Sequence, residues 1–169
     1  MRGRFLGAQI ALASDSAGTV YALWNAGATN GAPERIFFSS STNGGASWSA
    51  KADVSTAAPG VEHGFPAITA GTAGDVRIAW MDTRMADSHN HPLWNTFHRA
   101  STNGGATWSA EAQLSGAVRG YDYIQPNGFR FPFGDFFSIG IDNQGATHVV
   151  WGEGMNYQSP GSIWHASGR

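Results

Sequence analysis

The chain has 169 residues, 13% of them charged and 12% aromatic, with 23 glycines, seven tryptophans, no cysteine and a formal net charge of -2. So small a balance, with no basic cluster in it, argues against nucleic acid or an anionic membrane as a partner, and no apolar stretch is long enough to span a bilayer. The lack of cysteine excludes a disulfide framework, a thiolate metal site and a cysteine nucleophile and leaves the compartment open, while the glycine and aromatic content points to a turn-rich all-β chain rather than a disordered one.

From the N-terminus, residues 1–13 carry a basic start and small apolar residues that superficially resemble a secretory signal, but Gln9 interrupts the apolar part. The segment is expected instead as the entry to a first strand at 9–13. A glycine six places before a tryptophan then recurs three times, as Gly18 to Trp24, Gly74 to Trp80 and Gly145 to Trp151. Each glycine separates two strand-like runs, so each pair reads as a hairpin: 9–13 with 19–24, 67–70 with 76–80, and 137–141 with 147–151. In the second hairpin Val76, Ile78 and Trp80 alternate with Arg77 and Ala79, the period of a strand with one buried face. Trp24, Trp80 and Trp151 are therefore expected in equivalent buried positions between sheets. A third strand follows in each unit, at 35–40, 95–100 and 162–167, and a fourth at 52–55 and 112–115, with no counterpart in the third unit.

Between the third and fourth strands stands Ser41-Thr42-Asn43-Gly44-Gly45-Ala46-Ser47-Trp48, which returns almost unchanged as Ser101-Thr102-Asn103-Gly104-Gly105-Ala106-Thr107-Trp108. Asn-Gly-Gly supplies residues that tolerate positive φ, the flanking hydroxyls can bond nearby backbone, and the tryptophans are expected to fold back as lids on their own sheets. The pattern Ser-x-Asn-x-Gly-x-Ser/Thr-Trp resembles the Asp-box (BNR) repeat of the sialidase-like β-propellers. Asn43 and Asn103 stand at its acidic position, which keeps the acceptor oxygen and loses the charge. The resemblance implies four-stranded antiparallel blades: blade one at 7–56, blade two at 65–115 and a partial blade three at 135–167, within one segment spanning 1–169. The glycines repeat at 74 − 18 = 56 and 145 − 74 = 71 residues, which adds long loops to compact blades of about 40–50. Rings of about four to eight blades are usual. Three blades imply either a piece of a longer propeller or a homodimer that closes a six-bladed ring.

Strand order sorts the loops onto two rims. The first turns and the boxes share one, poor in reactive side chains. The other receives 25–34, 56–65, 82–93, 116–135 and 152–161, with nearly all the suggestive residues. Asp82-Thr83-Arg84 ends a second strand, and Glu153 lies at the end of the corresponding strand in unit three. Asp82, Asp122 and Glu153 are candidate acid, base or nucleophile carboxylates, and Tyr123 a candidate nucleophile. Arg84, Arg119 and Arg130 can hold an anionic group by forked contacts, and His63, Tyr121 and Tyr157 complete the candidate substrate-binding set. Asp82 with Arg84 equally reads as a loop-fixing ion pair, and Trp-x-Asp-x-Arg resembles a structural feature of Asp-box proteins. A retaining sialidase would need three converging arginines, a Tyr with its Glu partner (Glu62 or Glu153) and an Asp. The types are present, but none sits in the family's motif order. His89-Asn90-His91, with His63 and Asp87 near, matches no strong ligand signature, so neither a metal nor a cofactor is expected. Two functions follow from the pattern: a glycan-directed propeller hydrolysing carbohydrate through rim carboxylates, or a non-catalytic module binding carbohydrate or protein.

Overall fold

A computed structural model describes residues 8–86, 92–115, 124–125, 128–129, 137–153 and 162–168. Among these there is no helix. The first sheet runs in sequence order through β1 (Ile10–Ser14), β2 (Val20–Gly27), β3 (Glu34–Ser41) and β4 (Ala52–Asp53). The second repeats the order with β5 (His63–Ala70), β6 (Val76–Ala86), β7 (Pro92–Ser101) and β8 (Ala112–Gln113). Two short strands, β9 (Ile124–Gln125) and β10 (Gly128–Phe129), pair within the long connector. The third sheet has three strands, β11 (Phe137–Ile141), β12 (Thr147–Glu153) and β13 (Ser162–Gly168). The main-sheet pairings are antiparallel between consecutive strands, so the chain is an all-β, propeller-like series of blades.

The glycine-to-tryptophan spacing sets the register. Trp24 lies opposite Ile10 and Phe37, Trp80 opposite Phe97, and Trp151 opposite Phe137 and Trp164. Because side chains alternate along a strand, each tryptophan faces the blade before it and its neighbours face the blade after it. Tyr21, Leu23, Ile36, Phe38 and Val54 of sheet one thus meet Ile68, Val76, Ile78, Trp80 and Phe97 of sheet two in one core. Ala79 and Leu114 of sheet two meet Ile139, Val149, Trp151 and Trp164 of sheet three in another. Trp80 is 0% exposed and Trp151 2%, as their spacing predicts. Trp24 is only half-buried, against expectation: among the described residues no blade covers its side of sheet one, and the Phe37 ring lies 6.0 Å away.

Both Asn-Gly-Gly turns close on the same bonds. Asn43 Oδ1 accepts the Ser47 N–H at 2.9 Å and Asn103 Oδ1 the Thr107 N–H at 2.9 Å, and each asparagine's Nδ2 donates to that residue's hydroxyl at 2.8 Å. Ser41 and Ser101 hydroxyls each take the N–H of Gly45 or Gly105 at 2.9 Å. The Oδ1 acceptances are ones a carboxylate would also make, whereas the Nδ2 donation is the amide's own, so the amide suffices for the turn. The glycines sit at φ of 68° and 90° in the first turn and 69° and 88° in the second, the left-handed region that side chains disfavour. A β-carbon on Gly105 would also lie 2.3 Å from the Phe38 ring. The lids behave otherwise than expected. Trp48 is 43% exposed, its indole N–H bonded to the Gly45 carbonyl, and Trp108 packs edge-on against Phe38 of the preceding blade at 5.1 Å. The second turn therefore joins two blades.

One irregularity shapes the opposite rim. Pro66 has no N–H to give the ladder, and the β5–β6 register shifts between Gly64 and Ala67. Phe65 takes φ 55° there and turns its N–H to Gln9 Oε1 at 2.9 Å. Pairing resumes with Gly64 opposite Met81 and continues with His63 opposite Asp82.

Candidate functional site

The structure brings three of the expected site residues together. Asp82 is 0% exposed, and its oxygens are engaged from several sides. The Trp80 indole donates to Oδ2 at 2.9 Å, the Arg84 guanidinium to Oδ2 at 2.6 Å and Oδ1 at 2.9 Å, and the Arg84 backbone N–H to Oδ1 at 3.1 Å. Arg84 lies 3.9 Å from the centre of the Phe97 ring and forms an ion pair with Glu111, whose other oxygen accepts the Thr56 N–H at 2.6 Å. Burial by itself would raise the Glu111 carboxyl, but the bonds from Arg84 and Thr56 outweigh it and hold it below the usual range.

His63, also 0% exposed, completes the cluster. Its Nδ1 faces the carbonyls of Glu34 at 2.8 Å and Val61 at 3.0 Å, so that nitrogen carries the proton. Nε2 is then the acceptor for the Ser55 hydroxyl at 2.7 Å. Burial lowers the His63 pKa, with Asp82, 3.7 Å from Nε2, pulling the other way, and the ring is neutral. In this arrangement the three side chains tie the ends of β5 and β6 to the 53–58 connector and to the segment before β8. A general acid needs an oxygen open to substrate, and Asp82 as placed has none. Ser55 and Glu111, which the sequence did not single out, are the partners that close it. Each is a common loop residue far from Asp82 in the chain, so no local signal marks it.

Glu153 ends β12 in sheet three. Asp122, Tyr123, Arg119, Arg130, Tyr121 and Tyr157 lie outside the described residues, as do His89, His91 and Asp87. Among the described residues no group of three or more His, Cys, Asp or Glu could hold a metal ion.

On the other rim a cleft of about 530 Å³ opens between sheets one and two. Tyr21 and Phe38, stacked with ring centres 5.8 Å apart and almost fully buried, lie at its base, and its walls are the first turns and the two Asn-Gly-Gly turns, including Ser40, Thr42, Ser49 and the 103–106 backbone. The rim judged poor in reactive groups thus carries an open cleft along the seam where the turns of blades one and two meet. Its lining contains no lysine or arginine, and its one carboxylate is already occupied. Asp15 Oδ2 accepts the Gly74 N–H at 2.8 Å and the Tyr21 hydroxyl at 2.7 Å, while Oδ1 accepts the N–H groups of Ala17 and Thr19 at 3.0 Å. The Gly74 bond, followed by the Tyr21 bond, lowers the Asp15 pKa from 3.8 to about 2. A depressed carboxyl stabilises the fold above its unfolded value and loses that contribution as the folded group protonates. Stability is therefore expected to fall as pH drops from 3.8 to about 2. Acid unfolding of Asp15→Asn beside the parent checks this: the variant should be less stable at neutral pH and show a shallower decline across that window.

No protein-family model and no curated protein matches the chain. Solved structures do. A protein of unknown function from Dyadobacter fermentans aligns over 98% of this chain and 51% of its own, with a TM-score of 0.59 and 13% identity. The α-L-arabinanase of Penicillium chrysogenum, solved with arabinobiose, aligns over 95% of this chain and 46% of its own, with a TM-score of 0.57 and 14% identity. At such identities the likeness is one of fold. The chain spans about half the length of these two structures.

Proposed function

We propose that the chain is a carbohydrate-directed, sialidase-like Asp-box propeller segment that binds a neutral glycan in the cleft between blades one and two. The cleft carries this reading: it opens to solvent between walls that present the hydroxyls of Ser40, Thr42 and Ser49 and the backbone amides of the turns, and its described lining contains no lysine or arginine to neutralise an acidic sugar. The one lining carboxylate is committed to Tyr21 and to backbone, which favours binding over reaction.

Hydrolysis is the second reading, favoured by the fold likeness to an arabinanase. It places the chemistry on the connector rim, with carboxylates drawn from Asp82, Asp122 and Glu153 and with Tyr123. Arg84, Arg119, Arg130, His63, Tyr121 and Tyr157 would hold the sugar. Asp82 would have to be released from Arg84 and Trp80 to take part.

Calorimetric titration with arabinobiose and a panel of neutral oligosaccharides tests the proposal. At least one should bind, and Ala106→Arg, which fills the cleft from an exposed position, should weaken that binding at least tenfold while changing stability by less than about 0.5 kcal/mol. Binding untouched by Ala106→Arg, or no binding at all, would overturn it. Release of reducing sugar from arabinan, lost in Asp82→Asn, would favour the second reading.

A further inference from the structure

The tripeptide Thr-Asn-Gly occurs three times, as Thr29-Asn30-Gly31, Thr42-Asn43-Gly44 and Thr102-Asn103-Gly104. Asparagine before glycine is a step at which a chain can modify itself, because the glycine nitrogen, on a residue with no β-carbon to shield it, can attack the asparagine's side-chain amide carbon. All three asparagines are exposed, so contact with water does not separate them. All three glycines have positive φ, at 78°, 68° and 69°, so the glycine conformation does not separate them either. The hold on the amide does.

In the two Asn-Gly-Gly turns each amide is bonded at both ends. Asn43 Oδ1 accepts the Ser41 hydroxyl and the Ser47 N–H, both at 2.9 Å, and Nδ2 donates to the Ser47 hydroxyl at 2.8 Å. Asn103 repeats these bonds with Ser101 and Thr107, and the nitrogen that would attack it, that of Gly104, already donates to the Gly74 carbonyl at 2.9 Å. Either amide must leave three bonds before its carbon can meet the glycine nitrogen in an attacking geometry. Asn30 lies in the connector from β2 to β3, on the other rim. The turn there is closed by the Ala32 N–H on the Thr29 carbonyl at 3.0 Å, and the Asn30 side chain makes no hydrogen bond among the described residues.

We propose that Asn30 is a site of spontaneous deamidation, and that the repeated turns protect Asn43 and Asn103 from the same reaction. The Gly31 nitrogen gives its proton to a solvent base and bonds to Asn30 Cγ. The Cγ–Nδ2 bond then breaks and ammonia leaves, which closes a five-membered imide. Water opens that ring at either carbonyl. Attack at Cγ restores the backbone and leaves an aspartate, whereas attack at the backbone carbonyl leaves an isoaspartate, with the chain running through Cγ. Either product adds a carboxylate to the connector that leads into Glu34, and the isoaspartate also lengthens the 29–32 turn by a methylene. Asn30 is not among the residues lining the carbohydrate cleft.

Incubation of the folded chain at mildly alkaline pH, followed by tryptic peptide mapping with tandem mass spectrometry, reads each site by itself. Asn30, Asn43 and Asn103 fall in separate peptides, 5–35, 36–51 and 100–119. Conversion at Asn30 should outpace that at Asn43 and Asn103 by about tenfold or more, the rate factor for a barrier raised by several ordinary hydrogen bonds. In urea strong enough to unfold the chain the three rates should converge, since only the shared tripeptide remains. Conversion of Asn43 or Asn103 as fast as that of Asn30 in the folded chain would overturn the proposal. So would an Asn30 that stays intact, or a lead of Asn30 that persists unchanged in urea.

Discussion

Trp80→Ala is expected to cost about 3–5 kcal/mol, the range for emptying a buried tryptophan site, and Trp24→Ala much less. The two residues hold the same place in the repeat and differ in cover, since Trp80 is 0% exposed between blades one and two while Trp24 faces outward. Urea unfolding midpoints of the two variants read the difference directly. Equal losses would mean that the tryptophans are held by their own sheets, and the blade register described above would be wrong.

Asp82→Ala is expected to be comparably severe, at about 3–5 kcal/mol, because it strips a buried ion pair of one partner and leaves the other. Arg84 would keep Glu111 but lose its fork, and the Trp80 N–H would lose its acceptor, inside a cluster whose carboxylate is fully enclosed. The double variant Asp82→Ala, Arg84→Ala should lose less than the two single losses added, as expected of residues in one network. Chemical denaturation of the four proteins measures this. An Asp82→Ala variant as stable as the parent, but with a hydrolytic activity abolished, would restore Asp82 to the catalytic role considered for it.

How much could be read without coordinates follows from the range of each interaction. The turns were legible because Ser41, Asn43 and Ser47 bond one another within seven residues, and their copies at 101, 103 and 107 do the same. Strand register was legible because the glycine and tryptophan bracket one strand, and that strand's alternation fixes which way the tryptophan points. What escaped depends on contacts between blades. Trp108 reads as a lid for its own sheet until Phe38, seventy positions earlier, is seen beside it. Asp82 and Arg84 read both as a loop-fixing pair and as reactive groups until Ser55 and Glu111 are seen on Arg84 and His63 beside Asp82. The cleft arises from neither sheet alone, so no motif marks it, although its walls are the repeated turns. Tyr21 and Arg77 stand three places after Gly18 and Gly74 and share no chemistry, and their common task emerges only when the bonds that tie Asp15 and Arg77 to the next blade's glycine are visible.

The location of the carbohydrate site is tested most directly by amide chemical-shift mapping during titration with arabinobiose and the other neutral oligosaccharides. The account predicts that at least one sugar moves the backbone signals of Gly74, Gly104 and Gly105, which line the cleft, and leaves those of His63, Asp82 and Arg84 in place. Shifts confined to His63, Asp82 and Arg84, or no shift with any member of the panel, would contradict it.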